Sequence, residues 1–184
     1  MKDGSGPRSR EQRGGSVETH SRPSERARQV AVIGSKRAEL GSELAQLGEA
    51  VGKLLAEKGV TLVCGGLTGV MEAACRGAKE AEGVAIGIVP GDSVEEANPY
   101  CTHVVATGIG HARNLAVVSS GEAVIAIGGE WGTLSEIGFA RVIGREVVAL
   151  RSWELNGRER MRGGPGVVAA ETAAEAVAAA LAAL

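Results

Sequence analysis

The chain predicts an α/β fold: a doubly wound parallel sheet of six to seven strands with helices on both faces. Three observations carry this reading. Short runs of Val, Ile, Leu and Ala recur that are apolar throughout rather than alternating, as expected of strands buried on both faces. Between them lie stretches with apolar residues three and four apart, the period of amphipathic helices. Glycine-rich turns follow successive runs, so they gather at the carboxyl ends of the strands, the rim where open α/β sheets bind ligands.

Residues 1 to 27 are rich in Gly, Ser, Arg and Glu and lack apolar periodicity, so they cannot bury enough surface to offset the entropy of ordering. They are expected to be a disordered polar tail ahead of one domain over residues 28–184. The tail's basic residues outnumber its acids, which suits either a solvated extension or weak contact with nucleic acid. Val30 to Ile33 form the first strand, closed by Gly34 and Ser35. Leu40, Leu44, Leu47, Val51 and Leu54 then mark a helix stopped by Gly59. Val60 to Cys64 is the second strand. The turn Gly65, Gly66, Leu67, Thr68, Gly69 leads into a helix with a small face of Ala73, Ala74, Ala78 and Ala81.

Val84 to Val89 is a third strand ended by Pro90 and Gly91. Asp92 to Tyr100 reads as a loop and Thr102 to Ala106 as a short strand. Gly108, Ile109 and Gly110 precede a helix of about ten residues. Strand five is Ala123 to Ile127, its helix runs from Thr133 to near Ile143, and strand six is Glu146 to Leu150. Arg151 to Pro165 is polar and expected to be looped. Val167 to Ala170 completes the strands, and Thr172 to Glu175 is a capping box opening an Ala-rich helix.

Composition narrows function. With 184 residues, one well-buried domain is expected. Four aromatic residues argue against a base-stacking platform, and a formal net charge of -2 gives no general attraction to nucleic acid or anionic membranes. No apolar run reaches a membrane span and no signal-peptide segment is visible, so a cytoplasmic protein without membrane partners is expected. Cys64, Cys75 and Cys101 have no metal-ligand spacing, nor do His20, His103 and His111. Isolated side chains, with no metal and no cofactor, are expected.

The familiar nucleotide fingerprints fail. There is no GxxxxGK[ST], and the nearest approach to GxGxxG, GIGHAR from Gly108, has Arg113 in place of the third glycine. A mononucleotide-sized pocket remains. Arg113 sits near a helix start and could clamp a phosphate or carboxylate, or simply be exposed. Ile125 to Glu136 has the grammar of a strand, a tight turn and a helix N-terminus, which favours an anion. Within it, Thr133 to Glu136 also fits a capping box, leaving Glu136 either a cap or a site carboxylate. Trp131 suits a pocket wall or a subunit contact, and His111 an acid-base role or a solvated helix start.

The motifs GGLTGVM from Gly65, GHARN from Gly110 and GGEWGTLSE from Gly128 together resemble the Lonely Guy (LOG) family, once taken for lysine decarboxylases. The similarity is greatest to a bacterial branch that includes molybdenum-cofactor carriers and is related to the Rossmann domain of a DNA-processing protein. It covers residues 30 to 150 or so. The resemblance implies a Rossmann-like homodimer or tetramer. In enzymatic members it implies hydrolysis of a nucleoside 5′-monophosphate to free base and ribose 5-phosphate. By position, the catalytic pair would be Arg113 and Glu136. The nucleotide site would draw on Gly34, Ser35, Gly65, Gly66, Thr68, Gly69, Asn114, Gly129, Gly132 and Thr133.

A carboxylate beside an oxocarbenium-like ribose fits the chemistry of glycoside cleavage. Three departures stand out: Gly128 replaces the signature proline, Asn114 a lysine and Glu130 a glycine. Glu130 would repel phosphate by about 1 kcal/mol if solvated. The reading is thus a nucleotide-binding phosphoribohydrolase. Its rivals are a carrier of a phosphorylated pterin and, third, a nucleic-acid-associated role. Lysine decarboxylation is not expected, because Lys36, Lys53, Lys58 and Lys79 show no Schiff-base motif.

Overall fold

Strand β1 (Gln29–Gly34) is the axis of the sheet, and it pairs in parallel on both sides. The computed structural model describes residues 1, 26–153, 155 and 167–184. The tail expected over residues 1–27 lies almost wholly outside them, as does most of the loop expected from Arg151 to Pro165. After β1 come α1 (Glu43–Glu57), β2 (Thr61–Cys64), α2 (Val70–Glu80), β3 (Ala85–Val89) and β4 (His103–Ala106). The second half comprises α3 (Arg113–Ser120), β5 (Ala123–Ile127), α4 (Trp131–Val142), β6 (Glu146–Leu150), β7 (Val167–Ala170) and α5 (Ala173–Ala182).

The described strands form one parallel sheet in the order β4-β3-β2-β1-β5-β6-β7. The chain works outward from β1 to β4 and then returns to place β5 beside β1. The topological switch point is therefore the crevice between the carboxyl ends of β1 and β5, where such sheets bind ligands. In β1, Val30 and Val32 face α1, α2 and α5, while Ala31 and Ile33 face α3 and α4. Both sets are buried, which is why the strand sequence reads apolar throughout instead of alternating. Full burial of Leu55 or Leu62 contributes roughly 1.5–3 kcal/mol each relative to exposure.

Helices α1 and α2 approach until backbones touch. A Cβ on Gly52 would lie 1.9 Å from the Ala74 carbonyl oxygen, and one on Gly77 would lie 2.0 Å from that of Glu49. Helix α4 is apolar on two sides. Ile137 and Ala140 point into the core, while Trp131, Phe139, Val142 and Ile143 are exposed.

Three local expectations are corrected. Helix α4 begins at Trp131 with Glu130 as its N-cap residue, two residues before the expected start at Thr133. Arg113 follows a 3-10 turn at Gly110–Ala112, so α3 is shorter than the ten residues expected. The three cysteines are not isolated: their sulfur atoms all lie within 4.8 Å of one another. They come from the end of β2, from α2 and from the segment entering β4, a convergence that sequence spacing cannot reveal. At the last helix the capping box holds in altered form: the Thr172 hydroxyl accepts from the Glu175 N–H, and Glu175 reaches back to the N–H of Glu171 rather than Thr172. Among the described residues no helix is long and apolar enough to cross a membrane.

Candidate functional site: a pocket at the switch point

Four loops bring the site together. The β1 end supplies Gly34, Ser35, Lys36 and Arg37, and the β2–α2 connection supplies Leu67 and Met71. The start of α3 adds His111, Arg113 and Asn114, and the β5–α4 turn adds Glu130 to Thr133 and Glu136. Together they enclose a cleft of about 240 Å³. Of the seven buried polar or charged residues described, five line this cleft: Ser35, Arg113, Asn114, Thr133 and Glu136. Such burial is unfavourable without partners, so the concentration of polar groups makes this cleft the candidate site.

The floor is an ion pair. Arg113 Nη1 donates to Glu136 Oε1 at 3.2 Å and to Asn114 Oδ1 at 2.8 Å. Arg113 Nε is buried with no hydrogen-bond partner among the described residues. Desolvation raises the Glu136 carboxyl to about 7, against the opposing pull of the Arg113 charge and hydrogen bond. The capping-box role for Glu136 is thereby replaced. Thr133 is the third residue of α4, Glu136 lies in the second turn, and its partner is Arg113 rather than a helix-end N–H.

The first intrahelical bond of α4 runs from the Leu134 N–H to the Glu130 carbonyl. The preceding N–H groups of Trp131, Gly132 and Thr133 therefore form the positive end of the helix, beside the cleft. Glu130 reaches across this end rather than pointing away. Its Oε1 accepts from Ser35 Oγ at 3.2 Å, and its Oε2 lies 3.7 Å from Arg37 Nε. The pocket mouth thus holds a carboxylate with Lys36 and Arg37 around it. Trp131 is 77% exposed and packs against Trp153 with ring centroids 5.6 Å apart, so it forms an outer wall.

Among the residues expected at the site, Gly34, Ser35, Arg113, Asn114, Gly132, Thr133 and Glu136 line the cleft. Gly65, Gly66, Thr68, Gly69 and Gly129 stand behind it and shape its loops. A Cβ on Gly65 would lie 2.7 Å from Arg113 Nη2, so this glycine leaves room for the guanidinium. Gly69 has φ +71°, and a Cβ there would lie 2.3 Å from the Ser35 carbonyl oxygen. Thr68 Oγ1 donates to the Lys36 carbonyl at 3.0 Å. Both residues hold the β1 loop. Lys36, Arg37, Leu67 and Met71 are pocket residues the sequence reading did not single out. The run Gly-Ser-Lys-Arg at a central strand end was the available signal.

A doubly wound parallel sheet with a buried cation, a carboxylate and helix-end donors at its switch point defines a Rossmann-like protein. Comparison with known proteins makes this specific. Residues 27–179 match the model of the SLOG cluster4 family, and the chain belongs to that family. It is 42% identical over 123 residues to an uncharacterized protein of Archaeoglobus fulgidus, covering 67% of this chain and 80% of that one. Among solved structures it is similar to the molybdenum cofactor binding protein of Rippkaea orientalis, at 31% identity and a TM-score of 0.77. That match covers 86% of this chain and 98% of the other. The molybdenum cofactor carrier protein of Chlamydomonas reinhardtii is 29% identical with a TM-score of 0.73, covering 85% and 98%. DNA processing protein A of Streptococcus pneumoniae is 21% identical with a TM-score of 0.63, covering 83% and 61%, a likeness of fold alone.

Proposed function

We propose that the protein binds a phosphorylated pterin or nucleotide in the switch-point cleft and carries it intact, in the manner of a molybdenum-cofactor carrier. The observation that carries this reading is the cleft floor. A buried guanidinium with an unmatched Nε donor lies near the free first-turn N–H groups of α4, so hydrogen-bond donors surround a place for an anion. Arg113, Asn114, Gly132, Thr133 and Ser35 would contact the ligand. Gly34, Gly65, Gly66, Thr68, Gly69 and Gly129 would set the loops that hold it. Three further facts favour carriage over cleavage. Asn114 stands where the LOG signature has a second cation, Glu130 occupies the mouth, and Glu136 is engaged with Arg113. The named relatives that bind or carry molybdenum cofactor support the same choice.

The test is to denature the purified protein and identify what it releases by mass spectrometry. An intact phosphorylated pterin or nucleotide is expected, retained also by Glu136→Gln. Free base accumulating in place of an intact ligand would overturn carriage.

A second reading, LOG-like phosphoribohydrolase activity, is favoured by one observation: a Glu136 carboxyl near 7 lies in the range of a general acid or base. Incubation with AMP and related monophosphates, followed by chromatography for free base, separates the two. Base release abolished in Glu136→Gln would establish the hydrolase.

Pairing of two copies through α3 and α4 is part of the proposal. Trp131, Phe139 and Val142 fall on one stripe of α4 at spacings of eight and three, Ile143 follows at its C-cap, and Leu115 of α3 is also exposed. This apolar stripe begins at the pocket wall, so a second copy would border the cleft.

A further inference from the structure

We propose that Cys64, Cys75 and Cys101 form a three-thiolate site for a soft metal ion of the Cu+ or Zn2+ class, behind the ligand cleft and separate from it. The distances between sulfurs are those of a site needing little adjustment. Cys64 Sγ and Cys75 Sγ are 3.4 Å apart, Cys75 Sγ and Cys101 Sγ 3.7 Å, and all three lie within 4.8 Å. A metal–sulfur bond of about 2.3 Å, in tetrahedral or trigonal geometry, places its sulfurs about 3.8–4.0 Å apart. The two Cys75 spacings fall short of this by a few tenths of an ångström, and the third pair needs a shift of at most about 1 Å. Thiolate donors select soft ions over Mg2+ or Ca2+.

The surroundings fit a metal-thiolate centre. The Gly66 N–H donates to Cys64 Sγ at 3.3 Å, the kind of backbone hydrogen bond that stabilises a ligating sulfur. Gly87 keeps space at Cys101, since a Cβ there would lie 2.7 Å from its sulfur. Asn98, itself buried, ties the segment together: its Nδ2 donates to the carbonyls of Gly66 and Leu67, and its carbonyl accepts from the Cys101 N–H. Cys64 and Cys75 are fully buried and Cys101 is partly exposed, which leaves a side from which an ion can reach the cluster and a water can complete its shell.

A bound cation displaces the thiol protons of the three cysteines to solvent and is held by three thiolates, with no change of oxidation state. Because Leu67 lines the cleft and its carbonyl is held by Asn98, a loaded centre would brace one cleft wall.

The experiment uses the full chain, reduced and stripped with a chelator. It is titrated with Cu+ against a chromogenic competitor and, in a separate arm, with Co2+ as the spectroscopic substitute for Zn2+. Expected are a single ion per chain, thiolate-to-metal charge-transfer absorption, and weakening by about 100-fold or more in Cys75→Ser and in Cys101→Ser. Whichever arm binds more tightly names the ion. Wild-type chain gives a readout independent of variant folding: a bound ion should slow alkylation of the partly exposed Cys101. Absence of charge transfer in both arms, unchanged uptake by the serine variants, or alkylation of Cys101 at the same rate with and without metal would overturn the site.

Discussion

Arg113 Nη1 and Glu136 Oε1 meet at 3.2 Å across 23 residues of chain, with their side chains 8% and 10% exposed. One comes from the start of α3, the other from the second turn of α4, so the pair joins the two helices on one face of the sheet. Removing one partner of a buried pair leaves an uncompensated charge and costs about 3–5 kcal/mol. Arg113→Ala is expected to lose stability on that scale in urea unfolding. The loss should be greater at pH 8 than at pH 5, because an unpaired Glu136 can escape its burial by taking a proton. Arg113→Lys, which keeps the charge without the fork, should recover only part. A loss below about 1 kcal/mol at pH 8 would mean the pair holds little together.

Glu136 gives a pH signature of its own. Burial raises its carboxyl from the ordinary 4.5 to about 7, so the folded state binds this proton more tightly than the unfolded state does. The resulting stabilisation is fully present below pH 4.5 and is lost as pH rises through 7. The gap corresponds to about 3 kcal/mol. Unfolding free energies of wild type and Glu136→Gln, measured from pH 4 to 9 and subtracted, should show wild type losing ground across that window. A flat difference would place the carboxyl at an ordinary value.

Glu130 is expected to oppose anions. Its carboxylate spans Ser35 and Arg37 at the mouth, next to the N-terminus of α4. Glu130→Gln keeps the shape and one acceptor, removes the repulsion and releases Arg37, so phosphate ligands should bind about fivefold tighter, roughly 1 kcal/mol. Titration calorimetry with AMP and with pyrophosphate at low salt reads this directly. Equal or weaker binding would show that Glu130 positions the ligand instead of repelling it.

The sheet was legible because strands buried on two faces write themselves as unbroken apolar runs. Strands β5, β6 and β7 have the bounds the sequence reading gave, and β1 extends it by one residue at each end. The rim of glycine turns was legible for the same reason, since glycine marks where backbone must approach something closely. The start of α4 was not: Glu130 offers no capping hydrogen bond, and Thr133 to Glu136 imitates a capping box three residues past the true N-cap. Nor could spacing reveal that Arg113 and Glu136 pair, that Glu130 turns across the mouth, or that three scattered cysteines converge. Those depend on which loops the sheet order brings together.

The apolar stripe on α4 predicts self-association. Val142 is 84% exposed, and with Phe139 it faces away from the core residues Ile137 and Ala140. Val142→Asp leaves the fold's packing untouched and places a charge where a second copy would sit. Light scattering after size exclusion should show wild type as a dimer or larger and the variant as a monomer, with little change in monomer stability, within about 0.5 kcal/mol. A monomeric wild type, or a variant with the same mass as wild type, would remove this face from the interface.

Gly65 separates the role of space from the role of charge. A Cβ at this position would lie 2.7 Å from Arg113 Nη2 and 2.8 Å from Met71 Sδ, with no strained backbone of its own involved. Gly65→Ala must therefore push the guanidinium or Met71 into the cleft, at a cost of about 1–3 kcal/mol as overpacking. If Arg113 orients the ligand, the same change should weaken binding of the co-purifying ligand at least tenfold while the chain stays folded. Gly132→Ala is the companion variant, since a Cβ there meets nothing within 4 Å. It should leave stability nearly unchanged and isolate any effect on the anion. Weakening by Gly132→Ala alone would shift ligand recognition from Arg113 to the helix end of α4.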